Sequence, residues 1–482
     1  MYKNSTICAV STPSGAGGIA VIRVSGQNAF NVCDKIFVAK NGKKLSEAKA
    51  NTVVFGQIIM HKCSNNEVSC NCGFDPQFSN CEIIDEVLVS VFRAPHSFTG
   101  ENVIEISAHG SVFIQQKILQ LLLDAGCTLA APGEFTQRAF MNGKMDLSQA
   151  EAVADLIASQ NAAAHKIAMN QMRGGFSAEL QKLRSQLLDF VSLIELELDF
   201  SEENVEFADR EILFALAKSI EAKVSRLVYS FNLGNAIKNG IPVVIAGETN
   251  VGKSSLLNFL LNEEKAIISD IHGTTRDVIE DTVNIHGVAF RFIDTAGIRS
   301  TENEIEKIGI ERAYQQIQKA QIMLCLLDCT KNVNDLEKFT DKIFDIAKNT
   351  KNILIFNKID LIDKTKIQII HDLYQNFDCP KFFVSVKEKI NMEHLLDEIL
   401  KASNVSQINE NDVIITNIRH FEIFKNVQIA IERVVVGLNS NLSGDLLSQD
   451  IRETMHYLGE ITGEITANEI LGNIFSKFCI GK

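Results

Sequence analysis

The sequence predicts an α/β multidomain chain in which a phosphate-loop domain is inserted into an α-helical domain and follows an α+β domain. Three observations carry this. First, a strand-like run, Ile241 to Ala246, enters Gly247-Glu248-Thr249-Asn250-Val251-Gly252-Lys253-Ser254 and opens into a helical pattern through Leu256, Leu257, Phe259 and Leu260. That is G-x-x-x-x-G-K-[ST] in its strand–turn–helix setting. Second, helical periodicity flanks this segment on both sides. Third, residues 1–143 alternate strand-like and helical runs.

With 482 residues the chain is too long for one ordinary core. An apolar fraction of 46% with 22% charged residues is that of a globular protein, and no apolar run reaches the ~20 residues of a membrane span. A net charge of −13 argues against a surface that is wholly a nucleic-acid clamp, so RNA would meet a local basic patch or a second protein. Eleven cysteines without a signal peptide predict reduced thiols.

In residues 1–143, strand-like runs fall at Thr6–Val10, Ile19–Val24, Thr52–Met60, Ile83–Phe92 and Asn102–Ile106, with a helix over Gln115–Leu123. The turn Thr12-Pro13-Ser14-Gly15-Ala16-Gly17-Gly18 reads equally as a tight structural turn or as backbone near a ligand. Cys63, Cys70, Cys72 and Cys81 lie in a polar stretch. Their spacing does not match paired zinc knuckles, so a surface insertion is preferred to a metal site.

From Lys144 the pattern turns helical: Leu147, Ala150, Ala154 and Ile157, then Leu180, Leu183, Leu187, Phe190, Ile194 and Leu198, with Gly174-Gly175 between. A third helix covers Ile212–Tyr229, and the pattern returns after about residue 405 with Leu447, Ile451, Met455 and Leu458 on one face. Flanking helices pack on each other most simply if the intervening domain is an insert. The expected domains are 1–143, a helical part at 144–239, the insert at 240–401, and a second helical part at 402–482.

Within the insert, glycines let backbone N–H groups converge on an anion at a helix start. Lys253 adds a charge for the β and γ phosphates, and the Ser254 hydroxyl is placed for Mg²⁺. Gly273-Thr274-Thr275-Arg276-Asp277 reads as a switch loop with a threonine for Mg²⁺. Asp294-Thr295-Ala296-Gly297 supplies a carboxylate for Mg²⁺ through water and an N–H for γ-phosphate. Asn357-Lys358-Ile359-Asp360 offers a carboxylate to the paired donors of guanine, which adenine lacks, and the Ser385-Val386-Lys387 backbone caps the guanine carbonyl. These elements in this order imply a GTPase, not an ATP-driven enzyme. Ile298 stands where many GTPases carry a water-orienting glutamine, and Glu302, Glu304 and Glu306 by spacing alone read as a solvated helix start.

The chain resembles the MnmE (TrmE) family of tRNA-modifying GTPases, within the TrmE-Era-EngA group of TRAFAC GTPases. The resemblance rests on Thr12-Pro13 with the following glycines, Gly133-Glu134-Phe135, Arg138-Ala139-Phe140, Lys144-Met145-Asp146-Leu147 and Ala150-Glu151-Ala152. Ile308-Gly309-Ile310-Glu311-Arg312-Ala313, Gly459-Glu460-Ile461-Thr462-Gly463-Glu464 and the terminal Phe478-Cys479-Ile480-Gly481-Lys482 extend it over nearly the whole chain, residues 63–81 excepted. It implies a Ras-like P-loop GTPase domain inserted into an α-helical domain, preceded by an α+β folate-binding-like N-terminal domain.

By that resemblance, Asn250 is the side-chain ligand of K⁺, completed by the backbone of Ser269, Ile271 and Thr274, with Ser269 standing where threonine is usual. The ion would stabilise charge as the β–γ bond breaks. Mg²⁺ falls to Ser254 and Thr275, and the catalytic set to Glu306, Lys253 and Thr275, with Glu306 orienting water against its bland reading. The expected GTP contacts are Asn250, Val251, Gly252, Lys253, Ser254, Ser255, Ser269, Thr274, Thr275, Asp294, Thr295, Ala296, Gly297, Asn357, Lys358, Asp360, Ser385 and Lys387. Arg23, Glu105, Lys144 and Lys482 match contacts to a tetrahydrofolate derivative, in its 5,10-methylene or 5-formyl form. A carboxylate suits the pterin edge and cations suit its glutamate tail. Cys479 reads as a buried or folate-adjacent structural thiol in preference to a nucleophile.

The resemblance further implies a cytoplasmic homodimer that associates with the flavoprotein MnmG as a heterotetramer and acts on tRNA. It would add an aminomethyl or carboxymethylaminomethyl group to carbon 5 of the wobble uridine. No membrane partner is expected. The alternative is a GTP-dependent assembly or signalling switch with passive flanking domains.

Overall fold

A computed structural model describes residues 5–61, 81–199, 210–265, 281–293, 317–348, 350–403, 413–440, 442–465, 468–476 and 478–481. The chain divides into two compact units, one of residues 1–154, 172–177 and 459–482, the other of 155–171 and 178–458.

The first unit is built on a seven-stranded sheet: β1 (Ile7–Val10), β2 (Ile19–Ser25), β3 (Phe37–Ala39), β4 (Thr52–His61), β5 (Cys81–Phe92), β6 (Val103–His109) and β7 (Thr128–Leu129), in the order β3-β4-β5-β6-β2-β1-β7. All neighbours are antiparallel except β1 and β7. Alternation decides its faces. Ile22 and Val24 of β2, Ile104 and Ile106 of β6, and Val87, Val89 and Val91 of β5 share one core with Ile118 and Leu122 of the helix Val112–Asp124. The intervening residues, Arg23, Glu105, Ser90 and Val53, lie in register across the opposite face. The β4–β5 ladder runs out to the pair His61↔Cys81.

Two further helices of this unit meet at a glycine. Helix Glu134–Met141 starts from Gly133, whose φ of +68° a side chain would strain. Helix Asn468–Ser476 packs Leu471 and Phe475 on Leu147 and Ala150. A Cβ on Gly133 would stand 2.7 Å from the Phe475 carbonyl oxygen, so glycine permits this approach.

The second unit holds a six-stranded sheet: β8 (Ile241–Ala246), β9 (Asp281–Ile285), β10 (Val288–Phe292), β11 (Ile322–Asp328), β12 (Lys351–Asn357) and β13 (Lys381–Phe383), in the order β13-β12-β11-β8-β10-β9. Only the β9–β10 pair is antiparallel. It is a hairpin closed by His286 and Gly287, both at positive φ, as a two-residue turn of matching twist requires. All seven residues of β11 are buried. Ile322, Leu324 and Leu326 face one helix layer, with Leu256, Leu260, Leu395 and Ile399. Met323, Cys325 and Leu327 face the other, with Leu336, Ile370 and Tyr374. A continuous apolar run is what a parallel strand covered on both faces needs.

Sequence expectations for the strands hold to within one to three residues, whereas the helix expected over Ile212–Tyr229 runs from Arg210 to Asn239. Its buried residues Leu213, Ala217, Ile220, Val224, Leu227, Phe231 and Gly234 step by four and three along a single seam. Helix Ile418–Asn439 packs along it, with Phe231 and Phe421 stacked at 4.1 Å, and Asn417 caps its start by accepting from the Arg419 N–H. In helix Gly444–Thr462, Leu447, Ile451 and Leu458 are buried as expected, and Thr454 rather than Met455 is the fully buried residue between them. Among the described residues, no helix is long and apolar enough to cross a membrane.

Candidate functional site

The phosphate loop joins β8 to the helix Lys253–Lys265, at the C-terminal edge of the parallel strands, where sheets of this kind bind ligands. Its glycines are required by space. A Cβ on Gly247 would lie 2.7 Å from the Leu326 carbonyl oxygen. One on Gly252, at φ +104°, would lie 2.5 Å from Asn357 Nδ2. Lys253 Nζ donates to the Gly247 and Glu248 carbonyls, each at 2.7 Å, which holds the ammonium inside the loop. Burial pulls its pKa below the ordinary 10.5, while Glu248 acts in the opposite direction. Ser254 and Ser255 stand at the first turn of the helix. A glycine loop, a captive cation and a helix N-terminus together fit a polyphosphate.

The base-reading loop is tied to the phosphate loop by the protein's own hydrogen bonds. Asn357, almost fully buried at the end of β12, donates from Nδ2 to the Val251 carbonyl at 2.8 Å, and its Oδ1 accepts from the Val386 N–H at 3.1 Å. One side chain therefore joins three segments distant in sequence. Lys358, at φ +67°, donates to the Asn250 carbonyl at 2.9 Å and to Asp328 Oδ2 at 2.6 Å. Asp360 is exposed at the rim. Ser385 is buried and its hydroxyl accepts from the Glu388 N–H at 3.1 Å, while Lys387 extends into solvent. Ser269, Ile271, Thr274, Thr275, Asp294, Thr295, Ala296, Gly297 and Glu306 lie outside the described residues.

In the first unit, Arg23 and Glu105 are Cα partners across β2 and β6 on the face away from the core. Arg23 Nη2 and Nε approach Glu105 Oε1 at 2.7 and 2.8 Å, a two-pronged contact. The guanidinium also lies 5.4 and 5.6 Å from the ring centres of Phe98 and Phe135. Lys144 Nζ donates to the Pro95 carbonyl at 3.1 Å. Lys482 lies outside the described residues, but Gly481 does not. The Ser11 hydroxyl donates to the Gly481 carbonyl at 3.0 Å, and a Cβ on Gly481 would stand 2.2 Å from the Val10 carbonyl oxygen. Val10 follows Ala9, the β1 partner of Arg23, so the chain terminus reaches the strand beside the Arg23–Glu105 pair. Cys479 is exposed, so of the two alternatives, buried or folate-adjacent, the buried one does not hold; its backbone carbonyl accepts from the Gly133 N–H at 3.4 Å.

Comparison with known proteins bears on the family of the chain. Residues 6–144 match the family model described as GTP-binding protein TrmE N-terminus, and residues 147–479 that of the MnmE helical domain. A protein of Parabacteroides distasonis named tRNA modification GTPase MnmE is 54% identical over 99% of this chain and 100% of its own.

The chain belongs to the MnmE family.

A second MnmE, from Bacteroides thetaiotaomicron, is 53% identical over the full length of both chains. Among solved structures, the G domain of the T. maritima FeoB iron transporter is 22% identical over 34% of this chain and 98% of its own, with a TM-score of 0.25. Against the MnmE motifs, residue-by-residue reading of the sequence misses two residues. One is Asp328, which has no motif of its own and is paired with Lys358. The other is Arg138, buried in the first unit, where it donates to the Ser5 carbonyl at 2.9 Å and to Glu134 Oε1 at 2.8 Å. The signal for Arg138 is its place within Arg138-Ala139-Phe140, one of the stretches that carry the resemblance.

Proposed function

We propose that this MnmE-family chain, as a homodimer, hydrolyses GTP and, with the flavoprotein MnmG, modifies carbon 5 of the wobble uridine of certain tRNAs, drawing its carbon from a tetrahydrofolate derivative. The observation that carries the folate half is the Arg23–Glu105 pair on the face of the first sheet away from its core, with Gly481 against Val10 and Ser11 at the end of the neighbouring strand β1. Glu105 offers a carboxylate to the donor–acceptor edge of a pterin, while Phe98 and Phe135 flank the Arg23 guanidinium. Lys144 and Lys482 would then meet the glutamate tail.

In the nucleotide-binding half, Lys253 exchanges its two carbonyl partners for phosphate oxygens, and Asp360 reads guanine from the rim. Ser254 and Thr275 would hold magnesium, which would supply positive charge to the phosphates. Potassium is assigned to Asn250, whose φ of +62° and Lys358-bound carbonyl fix it in place, together with the backbone of Ser269, Ile271 and Thr274. Glu306 orients the attacking water. The helical segments 144–239 and 402–482 carry the GTPase segment 240–401 as an insert in a cytoplasmic protein.

The decisive experiment combines titration with 5-formyltetrahydrofolate and mass spectrometry of wobble uridines. Arg23→Ala should abolish folate binding and the modification while GTP hydrolysis continues. Intact modification in that variant points to a GTP-dependent switch with passive flanking domains. Hydrolysis at equal rates in sodium and potassium removes the potassium site.

A further inference from the structure

We propose that Asp328 is a positioning residue for guanine-nucleotide binding, holding Lys358 so that the phosphate loop and the base-reading loop keep one relative geometry. Asp328 ends β11, the wholly buried central strand, and its side chain is 6% exposed. Its two oxygens are divided between two tasks. Oδ1 accepts from the Thr330 N–H at 2.9 Å and from the Thr330 hydroxyl at 2.7 Å, which locks the carboxylate's orientation. Oδ2 faces Lys358 Nζ at 2.6 Å. Burial acts to raise this carboxyl, but the bonds from Lys358 and Thr330 outweigh it and hold it below its ordinary 3.8, so the group is an anion at neutral pH.

A lysine ammonium is a compact charge on a flexible four-carbon stem and does not by itself hold one geometry. Here it is fixed from two sides, by Asp328 and by the Asn250 carbonyl. Lys358 stands between Asn357 and Ile359 in the base-reading motif, so the anchor that places its head also places the backbone leading to Asp360. Three residues beyond Asp328, Lys331 reaches Glu248 Oε2 at 2.6 Å. That second pair is more than a third exposed and contributes little. The part-buried pair of Asp328 and Lys358 carries the positioning.

The test is a double-mutant cycle on the full chain, read as the dissociation constant for GDP. Asp328→Asn keeps the shape and the acceptor for Thr330 but removes the charge. Its dissociation constant should rise roughly tenfold, the worth of one charge-assisted hydrogen bond. Lys358→Met should weaken binding at least as much. The double variant should bind no worse than Lys358→Met alone, because Asp328 acts only through that lysine. A dissociation constant for Asp328→Asn within twofold of wild type, or losses that multiply in the double variant, overturns the proposal. Should Asp328→Asn fail to fold, Thr330→Val takes its place in the cycle, with a smaller loss that again vanishes beside Lys358→Met. The inference rests on the guanine-nucleotide reading. A wild-type chain that bound no GDP would sink that reading, whereas multiplying losses in a GDP-binding chain sink only the role of Asp328.

Discussion

Asn357 shows how much one side chain can carry. Its amide satisfies a buried carbonyl on one loop and a buried N–H on another, and it sits within 2.5 Å of where a Gly252 side chain would begin. Replacing it with alanine strands both partners away from water. The expected cost is about 2–3 kcal/mol of stability in the nucleotide-binding unit, read by urea unfolding, with GDP affinity falling more than tenfold. An unchanged unfolding midpoint would show that the two loops do not depend on this residue. That asparagine is legible in the sequence as part of N-K-x-D, but only as a signature of guanine. Its structural task is not, because its partners lie 106 and 29 positions away and no local pattern marks them. Asp328 is illegible for the same reason.

Among elements, the pairing of helices Arg210–Asn239 and Ile418–Asn439 gives a case in which two effects oppose each other. Changing Gly234 to alanine would raise helix propensity by about 1 kcal/mol. It would also drive a methyl to 2.2 Å from the Ile415 carbonyl oxygen, a backbone atom that cannot step aside. Overpacking of this kind costs about 1–3 kcal/mol, so Gly234→Ala should lower the melting temperature. Gly472 lies inside helix Asn468–Ser476 with nothing within 4 Å of a new methyl. There the propensity gain is unopposed, and Gly472→Ala should raise the stability of that helix by up to about 1 kcal/mol, seen as slower amide exchange. Periodicity reveals these helices well. It places the end of the first ten residues early, because beyond Phe231 the seam passes through Gly234, which carries no apolar signal, before Ala236 and Ile237. The β9–β10 hairpin escapes notice because its turn is His286-Gly287, a weaker signal than Asn-Gly.

At the scale of the molecule, the first sheet leaves Val53, Phe55 and Leu88 at 62%, 40% and 48% exposure, on the same face as Arg23 and Glu105. An apolar face beside a polar pair is a surface that favours a cover. The proposed homodimer would supply it with a second copy. Leu88→Asp should convert the dimer to monomers in light scattering and weaken folate binding, while GTP hydrolysis persists. A variant that stays dimeric would place the contact elsewhere. The order of the nucleotide-binding motifs is plain in the sequence because each needs particular residues at a fixed spacing. The first-unit site depends on resemblance, since an arginine and a glutamate 82 positions apart share a face only once the register of β2 and β6 is known.

The ladder between β4 and β5 has a practical consequence. His61 and Cys81 face each other as its last pair, so the two cut ends of the sheet already stand side by side. A short Asn-Gly linker, or a fluorophore-bearing peptide, placed between His61 and Cys81 would therefore join ends that are already paired, at a small entropic cost. That position offers a reporter site from which the chain could be followed in cells.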